Sequence, residues 1–258
     1  MKHSLLLVAL CSAPSLAAMV QKPVAYDMGK TKFEGVLVYD DAGKPNRPGL
    51  VLVPNWLGIN AANLKQAELI ASYGYSVLVA DMYGKEVRPS SQEEAGKAAG
   101  AVKGDRKLMR ERVNKAFEVL KANAKAMNVD PQKLGAIGFC FGGTSVLELA
   151  RSGTQVSGVV SFHGGLDTPT PADGKTLKAK VLALHGADDP NVPAKDVDAF
   201  QTEMRNAKAD WQLVAYGNSV HSFTDVDAKM PGKAEYNATT AKRAYQAMND
   251  FFAEVFGG

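Results

Sequence analysis

The feature that most constrains the fold of this chain is its repeated change between short apolar runs and longer segments of helical periodicity. Residues 50–53 and 75–80 are apolar runs, and the segment 60–73 between them repeats apolar residues at helical spacing before Gly74. Strands that are apolar on both faces are typical of parallel sheets covered by helices. This stretch therefore predicts one strand–helix–strand unit.

The same alternation continues to the C-terminus. Two edge strands are expected within 26–39, and one or two charged surface helices within 93–127. The remaining expected elements are strands at 134–138, 156–162, 181–184 and 211–216 and helices at 141–150, 194–207 and 241–255. This order predicts an α/β fold, with a mostly parallel central sheet carrying helices on both faces, in a single domain over residues 19–258.

The first 18 residues have the composition of an export signal. Lys2 precedes the apolar run 5–10, and Ser15 and Ala17 supply the small residues that signal peptidases require. The run is far shorter than the roughly 20 residues that cross a bilayer. We therefore expect a signal peptide at 1–18, cleavage after Ala17 or Ala18, a periplasmic or secreted protein, and no membrane span.

Charge and cysteine content restrict the remaining possibilities. The formal net charge of +3 gives no reason to expect a nucleic-acid partner. Loss of Cys11 with the signal would leave Cys140 as the one cysteine, which cannot form an internal disulfide. Such a thiol is either a small buried hydrophobic group or a reactive one.

The neighbours of Cys140 favour reactivity. Gly138, Cys140 and Gly142 form a G-x-C-x-G pattern between an apolar strand and an apolar helix, the context of a nucleophile elbow. The turn places the sulfur at a helix N-terminus, which favours a thiolate. The backbone N–H of Phe141 is then expected to face a developing oxyanion.

A thiol nucleophile needs a base and a carboxylate, which follow it in the order acid, then histidine. His221 lies in the loop after the last strand, whereas His163 and His185 stand at strand ends, where packed structural roles are expected. Either Asp188 or Asp189 could reach a histidine, and the pattern Asp-x-x-Val-Pro selects Asp189. Cys140, Asp189 and His221 are the expected catalytic residues.

With these motifs in place, the chain resembles the dienelactone hydrolase family. Seven matches occur in the family's order, at 33–35, 48–49, 56–60, 80–84, 138–143, 189–193 and 221–223. The resemblance implies an α/β-hydrolase fold without a large cap and hydrolysis of a cyclic or small ester through a thioester. It also implies that the backbone N–H of Trp56 is the second oxyanion donor.

The chain departs from the family's pattern at the substrate pocket. Asn55 stands where characterised lactonases have a glutamate, and Lys85 and Asp225 stand where they hold a substrate carboxylate with two arginines. Asp225 would repel an anion, and Arg88 is near enough in sequence to compensate. The pocket residues expected from the resemblance are Asn55, Tyr83, Lys85, His163 and Phe223.

The sequence therefore predicts a monomeric hydrolase for a small ester or lactone, with no cofactor or metal. One alternative is a catalytically silent exported binding protein on the same fold, because fold alone does not guarantee activity. A redox role for Cys140 ranks last, because the mature chain lacks a second cysteine to resolve an oxidised intermediate.

Overall fold

A computed structural model of the chain describes residues 18–171 and 176–257. Residues 1–17, which carry most of the predicted signal, lie outside the described residues. Export and its cleavage site therefore stay predictions. Within the described residues, none of the helices is long and apolar enough to span a membrane.

Eight strands form one sheet in the order β1-β2-β4-β3-β5-β6-β7-β8. Their bounds are β1 Met19–Met28, β2 Thr31–Asp40, β3 Arg47–Val53, β4 Ser76–Val79, β5 Val129–Phe139, β6 Gly158–Phe162, β7 Lys180–Gly186 and β8 Trp211–Tyr216. The first two form an antiparallel hairpin, and β2 also pairs antiparallel with β4, so only β1 of that hairpin is an edge strand. All other pairings are parallel, as expected.

Helices cover both faces of the sheet. Their bounds are α1 Ala61–Ser72, α2 Gln92–Gly104, α3 Arg106–Ala122, α4 Phe141–Arg151, α5 Ala194–Asn206 and α6 Ala238–Val255. Apolar side chains of α1 and α6 pack in one core cluster, and those of α2 to α5 pack in the other. No separate cap domain is present in the part of the chain that the structure describes. The predicted fold class is confirmed.

Strand register brings the functional loops to one edge of the sheet. Val53 pairs with Gly138, and Phe139 pairs with Phe162, so the strands β3, β5 and β6 end side by side. The carboxyl ends of parallel strands are where α/β proteins gather reactive groups. The loops that follow β3, β5, β6, β7 and β8 therefore converge there.

The loop after β8 is held by a short hairpin that the sequence did not predict. Its strands are β9 Lys229–Met230 and β10 Ala234–Glu235. Ala234 forms a bridge with His221, and the N–H of Glu235 donates to the carbonyl of His221 at 3.0 Å. The backbone of His221 is thereby held by a hairpin that lies later in the same segment between β8 and α6.

Candidate active site

Cys140 stands at the apex of a sharp turn between β5 and α4. Its φ angle is 55°, in the left-handed region that L residues rarely adopt, and its N–H donates to the Phe162 carbonyl at 3.0 Å. A Cβ on Gly138 would lie 2.0 Å from the Gly142 oxygen, and one on Gly142 would lie 2.0 Å from the Val53 oxygen. The elbow therefore requires both glycines.

The three residues predicted to be catalytic, Cys140, His221 and Asp189, are linked by hydrogen bonds. The Nε2 atom of His221 lies 3.0 Å from the Cys140 Sγ atom, and its Nδ1 atom lies 2.7 Å from an Asp189 carboxylate oxygen. Asp189 is buried, whereas Cys140 and His221 are partly exposed. This geometry matches a nucleophile, a base and an orienting acid.

The surroundings of His221 favour its charged form. Burial of the ring opposes a positive charge, but hydrogen bonds and charges from Asp189 and Cys140 outweigh it, and the pKa of His221 rises to about 10. At neutral pH the ring is therefore an imidazolium, which stabilises a thiolate beside it.

The loop after β7 fixes Asp189 rather than its neighbour Asp188. One oxygen of Asp189 accepts from the N–H of Asn191 at 2.8 Å, which leaves the other oxygen for His221. Asp188 is exposed, and its backbone N–H donates to Ser219. The structure thus brings Asp189 and not Asp188 to the imidazole.

Two backbone N–H groups are free beside the sulfur. Those of Trp56 and Phe141 have no acceptor among the described residues. Gly142 contacts the backbone of Val53, which brings the turn that carries Trp56 next to the elbow. The Tyr83 hydroxyl donates to the Trp56 carbonyl at 2.7 Å and so holds this turn in place.

The sulfur opens into a cavity of about 300 Å³, called here the thiol cavity. Its lining residues are Trp56, Ala99, Gly100, Lys103, Cys140, Phe141, Thr144, Gly165, Asn191 and His221. Both free N–H groups belong to residues of this wall, so both can donate to a negatively charged oxygen beside the sulfur. Sequence reasoning did not single out Lys103, because nothing in the pattern of a charged helix shows which lysine faces a cavity.

The side chain of Asn55 forms hydrogen bonds that stabilise its own turn and is not hydrogen-bonded to the Cys140 thiol. Its side-chain oxygen accepts from the Leu57 N–H at 3.0 Å and from the Asn63 amide at 2.9 Å. It lines a second cavity of about 440 Å³, together with His163 and Asp225, on the side of α1 and the loop 222–227.

His163 forms part of the wall between the second cavity and His221. Its ring is edge-on to His221 at 5.3 Å, and its Nε2 atom lies 2.7 Å from the Thr224 hydroxyl. Burial and the charge of His221 lower the pKa of His163 well below its usual value. Burial also lowers the pKa of His185, so neither histidine is suited to carry a proton as His221 does.

Phe223 and Lys85 lie away from the two cavities. Phe223 is fully buried against His163, so its expected place in the pocket wall is not observed. Lys85 forms an ion pair with Glu34 at 2.9 Å, and Arg88 forms one with Asp81 at 3.1 Å. Neither cation lines the thiol cavity.

The described residues include no group of three or more His, Cys, Asp or Glu side chains arranged to hold a metal ion.

Comparison with known proteins gives consistent results. A family model described as the dienelactone hydrolase family matches residues 33–256. A solved structure of a dienelactone hydrolase-like promiscuous phosphotriesterase from metagenomic libraries is 37% identical, with a TM-score of 0.85, and the match covers 92% of this chain and 99% of that one. A Bradyrhizobium protein named "Probable 2-oxo-3-(5-oxofuran-2-ylidene)propanoate lactonase" is 29% identical over 68% of this chain and 73% of its own.

Proposed function

The chain belongs to the dienelactone hydrolase family, and from that membership we propose that it hydrolyses a small ester or lactone with Cys140 as nucleophile. The observation that carries the proposal is the path from sulfur to imidazole to buried carboxylate, with contacts of 3.0 and 2.7 Å. The thiol cavity lies at the lower end of the size range of ligand pockets, which favours a small substrate.

In the first half of the reaction, the Cys140 thiolate attacks the carbonyl carbon of the ester. The carbonyl oxygen becomes an oxyanion that accepts hydrogen bonds from the N–H groups of Trp56 and Phe141. The carbon–oxygen bond to the alcohol then breaks, and the proton on His221 Nε2 passes to the departing oxygen. The products of this half are the free alcohol and a thioester on Cys140.

In the second half, His221 acts as a base towards water. The sulfur of a thioester is uncharged, so the contribution of Cys140 to the raised pKa of His221 is lost at this stage. The neutral imidazole takes a proton from water, whose oxygen attacks the thioester carbon. The carbon–sulfur bond breaks, the acid leaves, and Asp189 stabilises the imidazolium that forms.

The proposal is tested by measuring the hydrolysis of esters and lactones and by measuring the mass of the protein. Aryl esters and lactones are supplied to the wild-type protein and to Cys140→Ala and Cys140→Ser, and quenched samples are analysed for an acyl group on Cys140. We expect turnover and the acyl mass in wild type and neither in Cys140→Ala. Equal background rates in wild type and Cys140→Ala would instead favour a catalytically silent binding protein on this fold.

Hydrolysis of phosphotriesters is a second candidate activity. It is favoured by the 37% identity to the solved structure of a dienelactone hydrolase-like promiscuous phosphotriesterase. The same thiolate and N–H groups would serve attack on phosphorus, with a charge developing on the phosphoryl oxygen. This second activity is tested by supplying paraoxon to wild type and to Cys140→Ala. Release of 4-nitrophenol by wild type but not by Cys140→Ala would support phosphotriester hydrolysis.

Export and a monomeric state are also part of the proposal. Residues 1–18 have the composition of a cleaved signal, which would place the mature protein in the periplasm or outside the cell. N-terminal sequencing of the protein recovered from the periplasm tests the cleavage after Ala17 or Ala18, and light scattering tests the monomer.

A further inference from the structure

The Trp56 N–H belongs to a turn of residues 55–58, which lies between β3 and α1. The turn is closed by a backbone hydrogen bond from the N–H of Gly58 to the carbonyl of Asn55, at 3.0 Å. Residues 54–60 lie in neither a strand nor a helix. The direction of the Trp56 N–H therefore depends on the side chains that hold the 55–58 turn.

Asn63, in the first turn of α1, holds the 55–58 turn at two points. Its side-chain amide donates to the Asn55 side-chain oxygen at 2.9 Å and to the Gly58 carbonyl at 2.7 Å. The same Asn55 oxygen accepts from the Leu57 N–H at 3.0 Å. One amide group therefore ties both ends of the turn to the start of a helix.

The neighbours of Asn63 determine which way its amide points. The Gly58 carbonyl can only accept a hydrogen bond, and the Asn55 oxygen is identified as an acceptor by the Leu57 N–H that donates to it. An Asn63 side chain turned by half a rotation would place its own oxygen against both acceptors. Asn63 and Gly58 are buried, so the Gly58 carbonyl depends on this amide rather than on bulk water.

The start of α1 is itself held in place. The Asn60 side chain caps the helix by accepting from the backbone N–H of Asn63 at 2.9 Å, and Ile70 of the same helix is fully buried in the core. The Tyr83 hydroxyl holds the turn separately, through the Trp56 carbonyl at 2.7 Å. Contacts from α1 and from Tyr83 together restrict the direction of the Trp56 N–H.

We propose that Asn63 is a positioning residue for hydrolysis, which holds the Trp56 N–H where negative charge develops on the substrate carbonyl oxygen. The proposal rests on the function proposed above. Asn63 acts through Trp56, because it lies outside the wall of the thiol cavity. A donor that is already in place lowers the barrier because it needs no rearrangement when the charge forms.

The experiment separates this positioning role from a loss of stability. The values of kcat and KM for 4-nitrophenyl butyrate are measured for wild type, Asn63→Ala and Asn63→Asp, which keeps the shape of the side chain but replaces its NH2 group by oxygen. The matched control is Asn60→Ala, which removes the cap of the same helix and leaves both hydrogen bonds of the Asn63 amide. The rate of Cys140 alkylation by iodoacetamide is measured in every variant.

The expected result is a fall of about 10- to 100-fold in kcat in Asn63→Ala and Asn63→Asp, the size of a misplaced oxyanion donor. KM should change by less than about threefold, because the Trp56 N–H meets a full negative charge only in the transition state. Asn60→Ala should keep kcat within about twofold of wild type. Alkylation should stay within about twofold in all variants, because displacement of iodide from a saturated carbon forms no oxyanion.

An unchanged kcat in Asn63→Ala would overturn the proposal while leaving the hydrolase function intact. Equal losses of kcat in Asn60→Ala and Asn63→Ala would do the same, because they would trace the effect to the stability of α1. A fall in the alkylation rate that matches the fall in kcat would also overturn it, because it would show a general disturbance around Cys140.

A second readout works without turnover. When butyraldehyde adds to Cys140, the sulfur bonds to the carbonyl carbon, the C=O bond becomes single, and the oxygen takes the proton shared by Cys140 and His221. This oxygen accepts from the Trp56 N–H, so protection of Cys140 from iodoacetamide should need about threefold to tenfold more aldehyde in Asn63→Ala than in wild type or Asn60→Ala.

The aldehyde measurement distinguishes failure of the positioning role from failure of the proposed function. If no ester is hydrolysed but Asn63→Ala needs more aldehyde than wild type, the proposed function fails and the positioning role stands. If the aldehyde protects wild type and Asn63→Ala equally, or protects neither, the positioning role fails.

Discussion

The Nε2 atom of His221 lies within 3.0 Å of the Sγ atom of Cys140, on the side of the ring opposite Asp189. The imidazole is thus held between a buried carboxylate and a partly exposed sulfur. A positive charge on the ring interacts favourably with both neighbours, and this arrangement leads to the first prediction.

Cys140 should react rapidly with alkylating reagents near neutral pH. The positive charge of the His221 ring beside the sulfur favours nucleophilic attack by Cys140, so the rate with iodoacetamide at pH 7 should exceed that of a free model thiol by about tenfold or more. In His221→Gln the rate should fall to that of the model thiol. A wild-type rate no faster than the model thiol would refute the ion pair.

Asp189→Asn should lower kcat for ester hydrolysis on the order of 10²- to 10⁴-fold. The amide cannot stabilise the imidazolium and turns the ring towards the wrong tautomer. The matched control is Asp188→Asn, which changes the exposed neighbour and should leave kcat within about twofold of wild type. Similar losses in both variants would show that the loop matters and the contact between Asp189 and His221 does not.

The stability contributed by His221 should decrease as pH rises. Its pKa is raised from 6.5 to about 10, so the contribution is fully present below 6.5 and is lost as pH rises through about 10. The difference in Tm between wild type and His221→Gln should therefore be largest at pH 6 and shrink towards pH 10. In a Cys140→Ala background this difference in Tm should shrink at a lower pH than it does with Cys140 present. The reason is that Cys140 then no longer contributes to the raised pKa of His221. A difference that grows with pH would contradict the raised pKa.

Gly142→Ala should destabilise the protein by about 2–4 kcal/mol, measured by urea unfolding. The added methyl group would lie 2.0 Å from the Val53 oxygen and 2.7 Å from the Pro54 oxygen, and backbone atoms cannot yield as a flexible side chain does. Gly104→Ala is the control, because nothing lies within 4 Å of its added group, and its stability should change by less than about 1 kcal/mol. Equal stabilities in the two variants would show that the backbone around Cys140 can shift to accommodate the added methyl group.

The fold and the chemistry of the elbow could be predicted from the sequence because both depend on local patterns. Apolar runs between helical segments fix a parallel sheet, and the glycines around Cys140 fix a turn at the end of one strand. The order of Asp189 and His221 after Cys140 was also visible, since the loops that carry them follow known strands. The structure brings these three side chains together, and their catalytic roles stay a prediction.

The side chains that complete the thiol cavity around the predicted residues were decided by tertiary structure. Phe223 and His221 share a loop, yet one side chain enters the core and the other meets the sulfur. Lys85 was expected near a substrate anion, but Glu34 on a neighbouring strand holds it, and Lys103 faces the thiol cavity instead. The sequence determines which segments become strands, helices and turns. Which charged side chain points at a given cavity depends on how distant segments pack, and that information exists only once the chain is folded.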